Sequence, residues 1–357
     1  MNFVFWQNVI SIHQSAFIKA LAQEHDVVLV AEDYLDCQRK AEKWNVPDMG
    51  AAQVIVKPTY YKIEELLSHP ECEHVFSGIN AYPMVYTTLK MAVKKKCKFT
   101  VLIEPYEWSG LKGFLRQLKY TILALKFGKN IKHMFVTGNR GMSCYRKAYF
   151  NPEILHQWGY FTEQDNELSN KGLNNRDRKV KLLYVGRLDE NKNILPIIEQ
   201  IDQYEENIES FSIVGDGILF DNLKNIATRN PKIKVLGRIG NNETVRIMSE
   251  HDYLILPSLY DGWGAVVNEA LAQGTRVLCS IACGASVLLD GKMRGEAFLQ
   301  ENAIDTIKCW CERGPLTQAE RKEIRDWATS HISGAVAADY FVKIITGVDV
   351  IAPWMIN

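Results

Sequence analysis

Short apolar runs alternate with longer amphipathic segments along the whole chain. In the first half the runs Phe3 to Trp6, Val27 to Ala31, Val54 to Val56, His74 to Ser77, Phe99 to Ile103 and Met134 to Thr137 read as strands. Segments with helical periodicity, such as Ala16 to Gln23 and Met84 to Lys95, lie between them. From Thr162 to Lys179 the chain is polar with hardly an apolar anchor, which reads as a linker. The alternation then restarts, with strands expected at Lys181 to Val185, Ser212 to Val214, Lys234 to Leu236, Tyr253 to Leu256 and Arg276 to Cys279. Two βα repeats joined by a linker predict an α/β protein of two doubly wound parallel sheets, residues 1–165 and 180–335, with a ligand cleft between them. Ala335 to Ile345 is helical in pattern, and Gly347 to Trp354 is irregular.

A chain of 357 residues holds about two domains of common size. At 47% hydrophobic and 24% charged it has the composition of a globular protein with a core large enough for an enzyme. No run approaches the roughly 18 apolar residues of a membrane span, and the start lacks the basic region of a signal peptide. A cytoplasmic protein is expected. The eight cysteines show no paired metal or redox spacing, so no metal is expected. Net charge is zero, yet residues 85–150 hold 14 Lys or Arg against Glu104 and Glu107 alone. Such a local field attracts polyanions, either nucleic acid or an anionic membrane.

The candidate chemistry lies in the second half. The strand ending at Val185 runs into Gly186-Arg187-Leu-Asp-Glu-Asn-Lys192, where a glycine lets backbone approach a ligand and two cations can reach a diphosphate. Val214-Gly215-Asp-Gly217 and Leu236-Gly237-Arg238-Ile239-Gly240 end two further strands with glycine turns. The strongest signal is Pro257-Ser-Leu-Tyr-Asp261-Gly262-Trp263-Gly264-Ala265-Val266-Val-Asn-Glu269. A glycine-bearing loop there feeds a helix whose free N–H groups and positive dipole end suit a pyrophosphate. Asp261 and Glu269 flank the turn, eight positions apart.

In this order and spacing the motifs between Gly186 and Gly274 resemble the retaining glycosyltransferases of family 4, with the GT-B fold. The resemblance implies a donor site formed by Gly186, Gly215, Arg238, Ile239, Gly262, Trp263, Gly264, Ala265, Val266 and Glu269. Catalytic roles fall to Asp261, Arg187 and Lys192. Glu269 would accept the ribose hydroxyls and Asp261 would orient the donor hexose, although the first acid of the pair is usually Glu in that family. It also implies that the C-terminal segment 336–357 returns to the first domain. The first half matches only in layout. Its loops carry His13, Glu104 and Glu107 as acceptor-side candidates, while Phe135 to Gly141 only superficially resembles a dinucleotide fingerprint, since it falls on the sixth strand.

The function expected is retaining transfer of a hexose from a nucleotide diphosphate sugar to a glycan or lipid-linked acceptor in surface polysaccharide synthesis. UDP is favoured over GDP by the habit of the family. Asp-x-Asp does not occur, so no cofactor or metal is expected and protein groups would neutralise the leaving diphosphate. A GT-B 2-epimerase or a hydrolase is the alternative; a non-catalytic nucleic-acid or membrane-binding protein is a more distant one. Residues 111–132 hold six cations, no acid, and Leu111, Phe114, Leu115, Leu118, Ile122 and Leu125 on one helical face. That favours peripheral binding to the inner face of the cytoplasmic membrane over nucleic acid, for which no motif exists.

Overall fold

A computed structural model describes residues 1–35, 46–163 and 178–356. Cys37 and most of the expected linker lie outside the described residues. The chain divides into two compact units, Met1–Glu163 with Ser333–Ile356, and Gln164–Ile332.

In the first unit the strands are β1 (Asn2–Val9), β2 (Asp26–Asp33), β3 (Gln53–Val56), β4 (Cys72–Ser77), β5 (Phe99–Ile103), β6 (Ile131–Thr137) and β7 (Leu155–Trp158). The helices between them are α1 (Ile12–Glu24), α2 (Tyr60–Leu66), α3 (Pro83–Lys94), α4 (Gly110–Phe127) and α5 (Gly138–Lys147). The sheet order is β3-β2-β1-β4-β5-β6-β7, and every pairing is parallel. Helices cover both faces of such a sheet, so its central strands are largely apolar; Phe3, Val4, Phe5 and Trp6 are all buried, with buried polar positions at Gln7, Glu73, His74 and Thr100.

The second unit repeats the plan with β8 (Val180–Val185), α6 (Leu195–Glu199), β9 (Ile208–Val214), α7 (Phe220–Ala227), β10 (Ile233–Gly237), α8 (Asn241–Glu250), β11 (Tyr253–Leu256), α9 (Ala265–Ala272), β12 (Arg276–Ser280), β13 (Gly295–Phe298), α10 (Ala303–Glu312) and α11 (Gln318–Ile332). Its order is β10-β9-β8-β11-β12-β13, again all parallel. Both sheets reverse strand order at a switch point beside the first strand, between β1 and β4 and between β8 and β11. That is where an open α/β sheet binds its ligand.

The last helix, α12 (Gly334–Ile345), belongs to the first unit. Its Phe341 ring sits 5.7 Å from Phe3, 5.2 Å from Phe17 and 4.9 Å from Phe135. Gly334 begins the helix where a Cβ would lie 2.2 Å from the Ala16 carbonyl oxygen, so only glycine permits this approach to α1.

Two details differ from the sequence reading. The short edge strands β7 and β13 were not anticipated. The basic segment 111–132 is not one helix: α4 stops at Phe127, Gly128–Asn130 form a 3-10 turn, and Lys132 lies in β6, paired with Glu73 at 2.8 Å. Gly128 keeps helical dihedrals as the α-helix tightens into that turn, and the chain becomes extended at Ile131, where β6 pairs with β5.

Candidate functional site

The loops after β8, β9, β10 and β11 meet at one end of the second sheet. Backbone bonds zip them together: Gly186 N–H donates to Val214 O, Leu188 N–H to Asp216 O and Gly215 N–H to Gly237 O. Gly215 has φ +143, and a Cβ there would stand 1.8 Å from the Gly186 carbonyl oxygen. The glycines at 186 and 215 therefore allow two loops to touch, in addition to any approach by a ligand.

Lys192 closes a 3-10 turn capped by Asp189, whose carboxylate accepts from the Lys192 N–H. Its ammonium donates to Asp261 Oδ2 at 2.5 Å, and both side chains are largely buried. Asn191 ties the same two loops, donating to Tyr260 O at 2.8 Å and accepting through its carbonyl from Leu259 N–H. Asn193 adopts the left-handed conformation and donates to Gln300 Oε1 at 3.0 Å. The Gln300 amide donates in turn to Pro257 O, Ser258 O and Ser280 Oγ. Arg187 is two-thirds exposed and leans on Asp189 at 3.4 Å, so it does not join the buried pair.

Downstream of Asp261 the turn reaches Gly264 at φ +87, the cap of α9, where a Cβ would lie 2.6 Å from Cys283 Sγ. In the first turn of α9 the Val267 N–H donates to Gly264 O at 2.9 Å, which leaves the Ala265 and Val266 N–H groups at the helix end without an intrahelical acceptor. Among the proposed donor contacts, Trp263 offers only backbone: its ring is buried, with Nε1 donating to Asn268 at 2.7 Å. Ala265 and Val266 are half-buried in the first turn of α9, and Glu269 is half-buried one turn further on. Desolvation by its surroundings pushes the Glu269 carboxyl up to about 7. Arg238 is exposed and Ile239 half-buried at the rim after β10.

In the first unit, a cavity of about 460 Å³ opens beyond the C-terminal ends of β1, β4, β5 and β6. It brings together His13 from the first turn of α1 and Glu104 from the loop after β5, 91 residues apart, with Gln7, Gln14, Tyr120 and Tyr160. The His13 ring stacks on Tyr160 at 5.1 Å. Glu107 is not among the lining residues; it faces Arg116 at 3.3 Å and accepts from Ser109, which hold its carboxyl below the ordinary range. The sequence reading missed the glutamine and tyrosine side chains of this cavity, and the Asn191, Asn193 and Gln300 scaffold of the other site, because isolated polar residues in loops carry no spacing signal.

Two Rossmann-like parallel sheets, each with its switch point beside the first strand, define the GT-B fold, and in the second sheet a glycine turn and the Lys192–Asp261 pair lie at that point. Residues 179–307 match the family model described as Glycosyl transferases group 1. Over 106 residues the chain is 33% identical to the putative teichuronic acid biosynthesis glycosyltransferase TuaC of Bacillus subtilis, covering 30% of this chain and 26% of that one. It is 29% identical over 112 residues to an uncharacterized glycosyltransferase, MJ1178, of Methanocaldococcus jannaschii, covering 30% and 31%. The chain thus spans about a third of the length of these curated relatives. A crystal structure of HepE from Anabaena in complex with UDP shares the fold, with TM-score 0.69 and 13% identity over 97% of this chain and 100% of that one. The chain has the GT-B fold, and residues 179–307 of its second unit carry a group 1 glycosyltransferase domain.

Proposed function

We propose that the protein transfers a hexose, with retention at the anomeric carbon, from a UDP-sugar to a glycan or lipid-linked acceptor of a surface polysaccharide. The observation that carries this reading is the Lys192–Asp261 pair, held beside the Gly262–Gly264 turn and the start of α9 inside the matched domain. An ammonium has three donors, so Lys192 can hold Asp261 and still reach a diphosphate. The leaving diphosphate is neutralised by Lys192, by the exposed Arg187 and by the amides of residues 264–266, without a metal. Asp261 orients the hexose, Glu269 accepts the ribose hydroxyls, and the glycines 186 and 215 with Arg238 and Ile239 border the nucleotide.

On the acceptor side, His13 and Glu104 line the first unit's cavity, and Glu107 lies on the loop beside it. The similarity of the chain to a teichuronic acid biosynthesis glycosyltransferase and to a UDP-bound fold relative supports the donor and pathway class. Incubation with a panel of nucleotide sugars tests the reading. Release of UDP that depends on a glycan acceptor, with an α-linked product from an α-linked donor, is the expected result. Conversion of the sugar without release of nucleotide would instead identify an epimerase, and acceptor-independent release a hydrolase.

A further inference from the structure

Helix α4 exposes what a helix of a globular protein ordinarily hides. Its buried residues are Gly113, Leu123 and Phe127. Leu111, Phe114, Leu115, Leu118, Ile122 and Leu125 are 49 to 80% exposed. At 3.6 residues per turn these six fall within an arc of about 100°, roughly opposite the buried face and about 21 Å long from first to last. Exposed apolar side chains scattered singly need no explanation, but a continuous stripe marks a contact surface.

The charges select the partner. Lys112, Arg116, Lys119 and Lys126 all lie on one flank of the stripe, between it and the buried face, and α4 contains no acid. Arg116 reaches Glu107, while Lys112, Lys119 and Lys126 have no carboxylate partner among the described residues. A second copy of the chain would bring four more cations and no acid to the same seam, so self-association lacks complementarity. An anionic lipid surface answers both features at once, taking the apolar stripe at the level of the acyl boundary and the flanking cations at the headgroups.

We propose that α4 is the membrane-docking element of this protein and lies in the interface of an anionic bilayer, rolled toward its cationic flank. Tyr120, on the same helix, lines the first unit's cavity. Docking through α4 therefore sets that cavity beside the bilayer surface, where a lipid-linked acceptor is presented; this consequence rests on the acceptor-side reading above, whereas docking itself does not.

The experiment is sedimentation of the full chain with vesicles of phosphatidylcholine alone, or of phosphatidylcholine with an equal part of phosphatidylglycerol. Binding is expected only with the anionic vesicles, and it should weaken as salt rises from below to above physiological strength. Each cation near such a surface is worth about fivefold in partition, so changing Lys112, Lys119 and Lys126 together to Glu should reduce binding by about a hundredfold or more. Leu118→Glu with Leu125→Glu should abolish binding while leaving the melting temperature unchanged, because both side chains are exposed already. Equal binding to neutral vesicles, no binding to anionic ones, or a concentration-dependent dimer that the two Leu→Glu changes dissolve would each overturn the proposal. The vesicle assay contains no donor or acceptor, so it stands or falls apart from the transferase reading.

Discussion

Lowering the pH from 8 to 6 should weaken binding of a nucleotide sugar by about tenfold, through one carboxyl group. Glu269 lies half-buried in α9 with its carboxyl raised to about 7 by desolvation, from an ordinary value of 4.5. A ribose diol donates best to a carboxylate, so the ionised form is the binding-competent one. Its population is about one half at pH 7 and about one-eleventh at pH 6, and apparent affinity falls with that fraction. The free protein responds with the opposite sign. A raised acid pKa means that the folded state holds the proton more tightly than the unfolded chain, so the associated stability is present below about 4.5 and is lost as pH rises through 7. Glu269→Gln should therefore bind the donor weakly at every pH, lose the pH dependence of affinity, and melt higher than the native protein above pH 7. The assay is titration calorimetry with UDP-glucose, because the terminal phosphate of UDP itself titrates near about pH 6. Repeating it in buffers of different ionisation enthalpy measures the proton released on binding. A native affinity that is flat between pH 6 and 8, or a slope that survives in Glu269→Gln, would refute the reasoning.

Lys192→Ala should lower kcat by about a hundredfold or more, the scale of losing one preorganised charge stabiliser, while EDTA leaves the native rate unchanged; steady-state kinetics on the two settles both points. Gln300→Ala leaves the Pro257 and Ser258 carbonyls and the Asn193 amide short of a partner, so it should cost about 1–3 kcal/mol in urea unfolding and lower kcat more than it raises KM. An unchanged kcat there would show that the scaffold does not position Lys192. Phe341→Ala empties a fully buried site between α12, β1 and β6 and should cost about 3–5 kcal/mol, read as a fall in the urea midpoint.

Most of the fold was legible because both sheets are parallel. A strand covered on both faces is apolar over most of its length, and β1, β2, β5 and β11 each contain such a run in the bare sequence. The edge strands lack that constraint. β7 is Leu-His-Gln-Trp and β13 is Gly-Glu-Ala-Phe, each paired on one side only, and neither differs in pattern from a loop. The end of α4 was misjudged for a related reason: basic residues continue across Gly128 into β6, and charge pattern alone carries no period that separates helix from strand. What separates them is pairing remote in sequence: β6 lies between β5 and β7, and Lys132 reaches the Glu73 carboxylate 59 residues away.

The two candidate sites differ in legibility for a physical reason. The loops of the second unit pack against one another closely enough to require glycine at particular dihedral angles; Gly215 at φ +143, against the Gly186 carbonyl, and Gly264 at φ +87, against the Cys283 sulfur, are such positions. Packing of that kind writes itself into local sequence, which is why the second unit reads as a motif. The cavity of the first unit is made by side chains from several elements, Gln7 near the end of β1, His13 in the first turn of α1, Glu104 after β5 and Tyr160 after β7. Nothing in their spacing ties them together.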